Sequence, residues 1–223
     1  MKTPHRKLLL LNASNMDSFP VYPYAFIQVT AVARRANIEV ACQDLLGIAQ
    51  EAWPQIIRDL QRRHKPAMFL ITLRNTDSMN YRDYRRDEGE KGSGYFPIAQ
   101  TKALIDTIRT VTNVQIAVGG FGFTLLAQEL MPILRPDFGV CGSPDAFFLH
   151  FEEILHRDYR HVANLLYFQG DAVVANRRIL FPPAPHTEYT PQAIEEMFAF
   201  YEKFPKPGFQ GAPVEIMRGC NHA

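Results

Sequence analysis

Apolar and polar positions alternate in blocks along residues 7–156, and these blocks predict a layered α/β domain. Short runs that are apolar at nearly every position are typical of parallel strands covered on both faces. Five such runs occur, at 7–11, 38–42, 68–73, 114–118 and 138–141. Stretches with helical periodicity separate or follow them, at 24–36, 49–64, 98–112, 125–134 and 146–156. The alternation predicts a doubly wound, mostly parallel five-stranded Rossmann-like sheet with flavodoxin-like strand order.

The pattern changes after residue 156, where the chain predicts a β-hairpin and helix connector. Residues 164–169 and 173–181 resemble strands, and Gly170-Asp171 between them is a turn signal. Thr190 as N-cap and Pro191 at the first helical position are typical of a helix start, and a helical pattern follows at 192–204. We therefore divide the chain into a ligand-binding domain (1–156), a connector (157–213) and the beginning of a further domain (214–223).

The composition narrows the possible partners. The chain is 47% hydrophobic and 21% charged with a formal net charge of +1, so it offers no electrostatic attraction to nucleic acid or an anionic membrane surface. No apolar run approaches the ~20 residues of a membrane span. Cys42, Cys141 and Cys220 are odd in number and far apart. They indicate reduced thiols and a cytoplasmic location rather than a disulfide framework.

Candidate binding residues lie after the first and third strands, because ligands of open α/β sheets bind beyond the carboxyl ends of the strands. They are Asn12 and Ser14 in the first loop, and Thr72, Leu73, Arg74 and Asn75 in the third. The first loop lacks the glycine-rich turn of a dinucleotide site. Arg74 falls at a strand end, where its guanidinium is expected to face the ligand crevice. An ion pair with Asp77 is the alternative.

Two glycine-containing turns follow the fourth and fifth strands. The fourth-strand turn is Gly119-Gly120-Phe121-Gly122-Phe123-Thr124, and the fifth includes Gly142 and Ser143. Three glycines let the backbone approach a ligand closely, and Thr124 is placed to cap the next helix. A dinucleotide site would have its glycines after strand one, so this position favours a bulkier ligand. Purely structural turns remain the alternative.

Catalytic chemistry has no clear motif in this chain. The seven histidines all fall at predicted helix ends, in the connector or in the terminal segments, so a metal in the crevice would lack an imidazole ligand from the strand-end loops. A nucleophile elbow, a phosphate-binding P-loop and a His-Glu-x-x-His motif are all absent from the sequence. We assign no catalytic residue.

A family resemblance emerges from these segments and from the last residues. The segments are Lys7–Asn12, Thr72-Leu73-Arg74, Gly119-Gly120 with Thr124, Val140-Cys141-Gly142 with Asp145, and Glu215-Ile-Met-Arg-Gly-Cys220-Asn-His-Ala223. Together they resemble the N-terminal portion of cobalamin-dependent radical S-adenosylmethionine enzymes. In that family Arg-Gly-Cys opens a Cys-x3-Cys-x2-Cys loop that binds a 4Fe–4S cluster. Cys220 would be its first ligand, and the second would stand at position 224, so we expect a chain truncated inside this motif.

The resemblance implies a function and a set of cofactors. It implies base-off cobalamin, with the nucleotide tail along the sheet near 119–122 and the lower face of the cobalt near Arg74 and Asn75. The parent enzyme would be a methyltransferase that also uses the cluster and S-adenosylmethionine. This chain would need the radical domain as its partner and would be inactive alone. Two departures from the family are present: Gly142-Ser143-Pro144-Asp145 stands where the family often has Gly-Glu-Gly-Glu, and the first loop lacks a cobalt-ligating Asp-x-His-x-x-Gly motif.

Two other functions stay open from the residues alone. A stand-alone flavodoxin-like module could stack a flavin on loop aromatics, namely Tyr22, Tyr24, Phe121 and Phe123. An α/β enzyme could instead use Arg74 and Asp77 on an anionic substrate.

Overall fold

The computed structural model describes residues 6–13, 22–73, 97–179 and 189–203. Within them, one sheet contains β1 (Lys7–Asn12), β2 (Glu39–Asp44), β3 (Met68–Thr72), β4 (Gln115–Gly119), β5 (Phe138–Val140), β6 (Leu165–Gln169) and β7 (Ala172–Ala175). The helices are α1 (Tyr24–Arg35), α2 (Trp53–His64), α3 (Pro97–Val111), α4 (Phe121–Leu125), α5 (Ala127–Leu134), α6 (Asp145–Leu149), α7 (Phe151–Leu155) and α8 (Pro191–Lys203). A short 3₁₀ turn, Gln50–Ala52, precedes α2.

The strand order is β2-β1-β3-β4-β5-β6-β7, and the first five strands are parallel. The predicted α/β class and the flavodoxin-like order of these five strands are therefore confirmed. Asn12 pairs with Thr72, and Thr72 pairs with Gly119, so the carboxyl ends of β1, β3 and β4 are level. Loops from three central strands consequently meet at one edge of the sheet.

The hairpin of β6 and β7 extends this sheet, although the sequence suggested a separate connector. Val140 pairs with Leu165 in antiparallel register, and the Cys141 amide donates to the Asn164 carbonyl at 2.9 Å. Leu165 and Leu166 are buried, one on each face of the sheet. The hairpin thus covers the otherwise open edge of β5, while the domain boundary near residue 156 stays a prediction.

Two hydrophobic cores cover the two faces of the sheet. Side chains alternate along a strand, so Leu8 and Leu10 enter one core while Leu9 and Leu11 enter the other. The first core is closed by α1, α6, α7 and α8, and the second by α2, α3 and α5. Burial on both faces explains why these strands are apolar at almost every position.

Two single-residue breaks interrupt the helices, one before α5 and one within the helix predicted at 146–156. Leu126 has φ −131° and ψ 36°, which separates α4 from α5, and His150 has φ −105° and ψ 25°, which separates α6 from α7. The expectation of a single helix at 146–156 was therefore wrong, whereas the helix predicted at 125–134 corresponds to α5, which begins two residues later at Ala127. One non-helical residue hardly disturbs the spacing of apolar positions, so the sequence pattern did not reveal the breaks.

The last described helix, α8, packs on the first core beside the start of α1. The predicted cap is confirmed, because the Ala193 amide donates to Thr190 Oγ1 at 3.1 Å. Tyr22 packs edge-on against Phe200, with ring centroids 5.7 Å apart, and its hydroxyl donates to Glu196 at 3.2 Å. None of the helices in the described part of the chain combines the length and apolarity needed to cross a membrane.

Candidate functional site

A cleft of about 620 Å³ opens at the carboxyl edge of the sheet and runs down the face covered by α1 and α6. Its floor comes from strand residues that point to this face, and its sides come from the two helices. Its lining consists of Leu10, Ala25, Gln28, Val29, Leu70, Ile71, Thr72, Ala117, Val118, Gly119, Gly120, Phe121, Thr124, Val140, Cys141, Gly142, Ser143, Pro144, Phe147, Phe148, Asn164, Arg178 and Ile179. The cleft therefore lies where open α/β sheets bind ligands.

The interior of the cleft is largely apolar. Leu10 and Leu70 form part of its floor, and Phe147 and Phe148 contribute from α6. Small side chains at Ala25 on α1 and Ala117 on β4 leave space between the helix layer and the sheet. Such a surface suits a flat, weakly polar group more than a highly charged one.

The turn after β4 is held tightly against the end of β3. Gly120 has φ +97°, and a Cβ placed there would come within 2.6 Å of the Leu73 carbonyl oxygen and 2.8 Å of Thr72 Oγ1. The Leu73 amide donates to the Gly119 carbonyl at 2.9 Å, and the Gly122 amide donates to the Leu73 carbonyl at 3.0 Å. Glycine at 120 is therefore required by both the backbone angle and the close approach.

Thr124 joins the two glycine-containing turns of the site. Its Oγ1 donates to the Gly120 carbonyl at 2.9 Å and accepts from the Gly142 amide at 2.8 Å. The helix caps are Gly120 for α4 and Leu126 for α5, so the expectation that Thr124 caps the next helix was wrong. Its hydroxyl instead fixes the β5 turn relative to the β4 turn.

Asn164 anchors the outer wall of the cleft. Its buried side chain donates from Nδ2 to the Ile179 carbonyl at 2.9 Å and accepts at Oδ1 from the Ile179 amide at 2.7 Å. This pair of bonds positions the segment after β7, in which the exposed Arg178 brings a guanidinium to the cleft. Neighbouring Cys141 is buried, and burial raises the pKa of its thiol while Arg178 opposes the shift.

Seven residues chosen from the sequence line the cleft. They are Thr72, Gly119, Gly120, Phe121, Thr124, Gly142 and Ser143. Four others are described but lie outside the lining: Asn12, Leu73, Gly122 and Phe123. Phe123 is fully buried against Gly139, and buried Asn12 donates to Asp44 Oδ1 at 3.0 Å. Ser14, Arg74, Asn75 and Cys220, together with Asp77, lie outside the described residues.

Sequence reasoning missed the walls of the cleft. It selected strand-end loops but not α1, the Phe147-Phe148 pair or the Asn164–Ile179 clamp. None of these belongs to a recognisable motif. Asn164 in particular reaches the site only because β6 pairs antiparallel with β5. The sequence around Asn164 does not show which strand β6 pairs with.

Comparison with known proteins gives one curated relative and a consistent fold. The chain is 27% identical over 169 residues to "Tryptophan 2-C-methyltransferase" of Streptomyces laurentii, which covers 74% of this chain and 26% of that protein. The chain thus spans about a quarter of the length of the curated relative it matches. No family model matches it.

Two solved structures of the radical S-adenosylmethionine methyltransferase TsrM from Kitasatospora setae share the fold. One, with cobalamin and a [4Fe-4S] cluster bound, matches at a TM-score of 0.65 and 20% identity over 84% of this chain and 31% of that chain. The other, with tryptophan substrate and the analogue aza-SAM bound, matches at 0.63 and 21% over 77% and 30%. The predicted resemblance to cobalamin-dependent radical S-adenosylmethionine enzymes is confirmed, by sequence in the curated relative and by fold in these structures.

Proposed function

We propose that this chain binds base-off cobalamin, with the nucleotide tail of the cofactor in the cleft between α1, α6 and the sheet. The shape of the cleft carries the proposal, because it begins at the glycine turn after β4 and continues along the face of the sheet. Its volume of about 620 Å³ lies within the roughly 300–1,000 Å³ of sites for drug-sized ligands. A whole corrinoid is larger than such a ligand, so the corrin ring would stay at the carboxyl edge.

The chemistry of the lining suits each part of that tail. Leu10, Leu70 and Ala117 offer an apolar surface for the benzimidazole base. Arg178 supplies a permanent positive charge to the cleft, which would attract the phosphodiester of the tail. Among the described residues, nothing lies within 4 Å of a Cβ placed at Gly142, so its backbone can approach a bound ligand.

In a larger setting, we propose that the chain is the cofactor-holding part of a cobalamin-dependent radical S-adenosylmethionine methyltransferase. Bound cobalamin would supply a carrier for a methyl group, and the residues of this chain would bind and orient it. Cys220 would be the first ligand of the iron–sulfur loop in that protein. Cysteine codons for positions 224 and 227 in the source DNA would support this assignment, and a stop codon or unrelated residues there would remove it.

A flavin in the same cleft is the competing proposal. It depended on stacking between loop aromatics, but among the described lining residues only Phe121 comes from that set. Tyr22 is buried between Phe26 and Phe200, and Phe123 lies in the opposite core. The single exposed ring at Phe121 favours a ligand that rests on the cleft edge over one sandwiched between aromatics.

Titration with hydroxocobalamin, followed by its visible spectrum, tests the cleft directly. Ala25→Leu replaces a methyl group with an isobutyl group inside the cleft, and Ala31→Leu makes the same change on α1 outside the lining. Alanine and leucine both have high helix propensity, so neither substitution should unfold α1. We expect at least tenfold weaker binding for Ala25→Leu and wild-type binding for the control. No binding at micromolar wild-type protein, or equal effects of the two variants, would sink the proposal, and co-purification of a yellow flavin would favour the competitor.

A further inference from the structure

A second candidate site lies away from the cleft, where two histidines and a glutamate converge beside α7. His150 Nδ1 contacts Glu153 Oε2, and His161 Nε2 lies 3.5 Å from the same oxygen. The three donor atoms all lie within 4.8 Å of one another. The two imidazole rings meet edge to face, with centroids 5.2 Å apart. We call these residues the His150–Glu153–His161 cluster.

Buried neighbours hold the three side chains in place. His150 immediately precedes α7 and Glu153 lies within it, and α7 is anchored in the first core by the fully buried Phe151 and Ile154. His161 precedes fully buried Val162, and the intervening turn is closed by a 2.7 Å bond from the Asp158 amide to the Glu153 carbonyl. The cluster therefore joins two backbone segments whose positions are set independently of it.

We propose that the His150–Glu153–His161 cluster binds a divalent transition metal ion, with Zn²⁺ as the best-matched ion. Ligands bonded to zinc at about 2.0–2.1 Å in a tetrahedron are separated from each other by about 3.3 Å. The 3.5 Å between His161 Nε2 and Glu153 Oε2 is close to that separation. A small side-chain rotation would bring His150 Nδ1 to the same spacing. Two imidazoles with one carboxylate form a donor set suited to zinc and poorly suited to Mg²⁺ or Ca²⁺.

A further carboxylate stands behind one of the proposed ligands. Asp158 Oδ1 lies 3.8 Å from His161 Nδ1, the ring nitrogen opposite the one that faces Glu153. Metal-bound histidines usually donate their other N–H to such a group, which orients the ring and strengthens the ligand. The proposed ligands have side-chain exposures of 32%, 45% and 51%, so water can complete the coordination. A bound ion would tie α7 to the turn that leads into β6.

Calorimetric titration of the tag-free full chain with ZnCl₂ tests the site. We expect one strong site, weakened at least tenfold by His161→Ala and by Glu153→Gln. His156→Ala is the matched control, since His156 is exposed and lies 3.6 Å from Glu152, outside the cluster. Two ligand variants are used so that misfolding of one, checked by circular dichroism, leaves the other informative.

The three cysteine thiols, at Cys42, Cys141 and Cys220, require their own control. Co²⁺ in place of Zn²⁺ gives an intense ultraviolet charge-transfer band only with thiolate ligands, so the proposed N/O site should show weak visible bands alone. Absence of zinc binding, wild-type binding in both ligand variants, or a strong thiolate band at one equivalent of Co²⁺ would each overturn the proposal. None of these results depends on whether cobalamin binds.

Discussion

Three glycines, when each is replaced singly by alanine, should lower the free energy of unfolding by different amounts, because each lies in a different environment. At Gly120 the backbone has φ +97° and ψ 169°, a region that non-glycine residues occupy at a cost of order 1–3 kcal/mol. The new Cβ would also meet the Leu73 carbonyl oxygen at 2.6 Å, and such overpacking costs about 1–3 kcal/mol. We therefore expect Gly120→Ala to lower the free energy of unfolding by roughly 2–6 kcal/mol.

The two neighbouring glycines serve as graded controls. Gly142 has φ +70°, but no described atom lies within 4 Å of the position that a new Cβ would take, so Gly142→Ala should cost only the backbone strain of about 1–2 kcal/mol. Gly119 has an ordinary φ, and its Cβ would meet its nearest atom, the Val140 carbonyl oxygen, at 3.4 Å. Gly119→Ala should change stability by less than about 1 kcal/mol, since lost freedom of the unfolded chain offsets mild crowding.

Urea unfolding followed by far-ultraviolet circular dichroism measures these costs, provided that the slope with denaturant is the same in all variants. Gly119→Ala should be the most stable of the three variants, Gly142→Ala should be intermediate, and Gly120→Ala should be the least stable. Equal midpoints for the Gly120 and Gly142 variants would refute the close approach of the β4 turn to Leu73. Because Gly119 lines the cleft, its variant also separates binding from stability: it should fold normally and bind hydroxocobalamin more weakly.

Two further predictions concern the outer wall and the thiols. Asn164→Ala should destabilise the chain by about 1–3 kcal/mol in the same urea assay, because it removes two hydrogen bonds to the Ile179 backbone that are each worth about 0.5–1.5 kcal/mol. A variant as stable as wild type would contradict that clamp. Burial raises the pKa of both the Cys42 and the Cys141 thiols. Near pH 8 both thiols should therefore react with iodoacetamide far more slowly in native than in unfolded protein. Rapid labelling of either thiol in native protein, detected by mass spectrometry, would contradict this.

The strands could be predicted closely from the sequence because burial on both faces leaves little ambiguity. Each of the first five runs begins or ends within two residues of the observed strand, and the order follows from short right-handed crossovers. The pairing of the β6–β7 hairpin with β5 could not be predicted in the same way. The strands predicted at 164–169 and 173–181 correspond to β6 and β7, but the second prediction was too long because β7 ends at Ala175. Neither pattern identifies Val140 as the partner of Leu165. Edge pairing is decided by which strand remains uncovered in the folded sheet.

The residues of the site could be predicted only where they directly follow the carboxyl end of a strand. The strand-end rule selected Thr72, Gly119 and Gly142, which line the cleft. It also selected Phe123, whose ring instead fills the space beside Gly139 in the opposite core. Consecutive residues in a short helix point in different directions, so Phe121 and Phe123 separate although they are two positions apart. The sequence identifies the turn after β4, but the orientation of α4 determines that Phe121 and not Phe123 lines the cleft.

The ionisable groups of the cleft indicate what it can do chemically. Among its described lining residues, only Cys141 and Arg178 can carry a charge. The raised pKa of Cys141 keeps its thiol protonated, which makes it a poor nucleophile, and the arginine guanidinium does not exchange a proton near neutral pH. The described walls therefore contain no group able to act as a general acid or base. Such a surface binds and orients a ligand, and any reactivity at this edge of the sheet must be supplied by the bound molecule or by residues beyond those described.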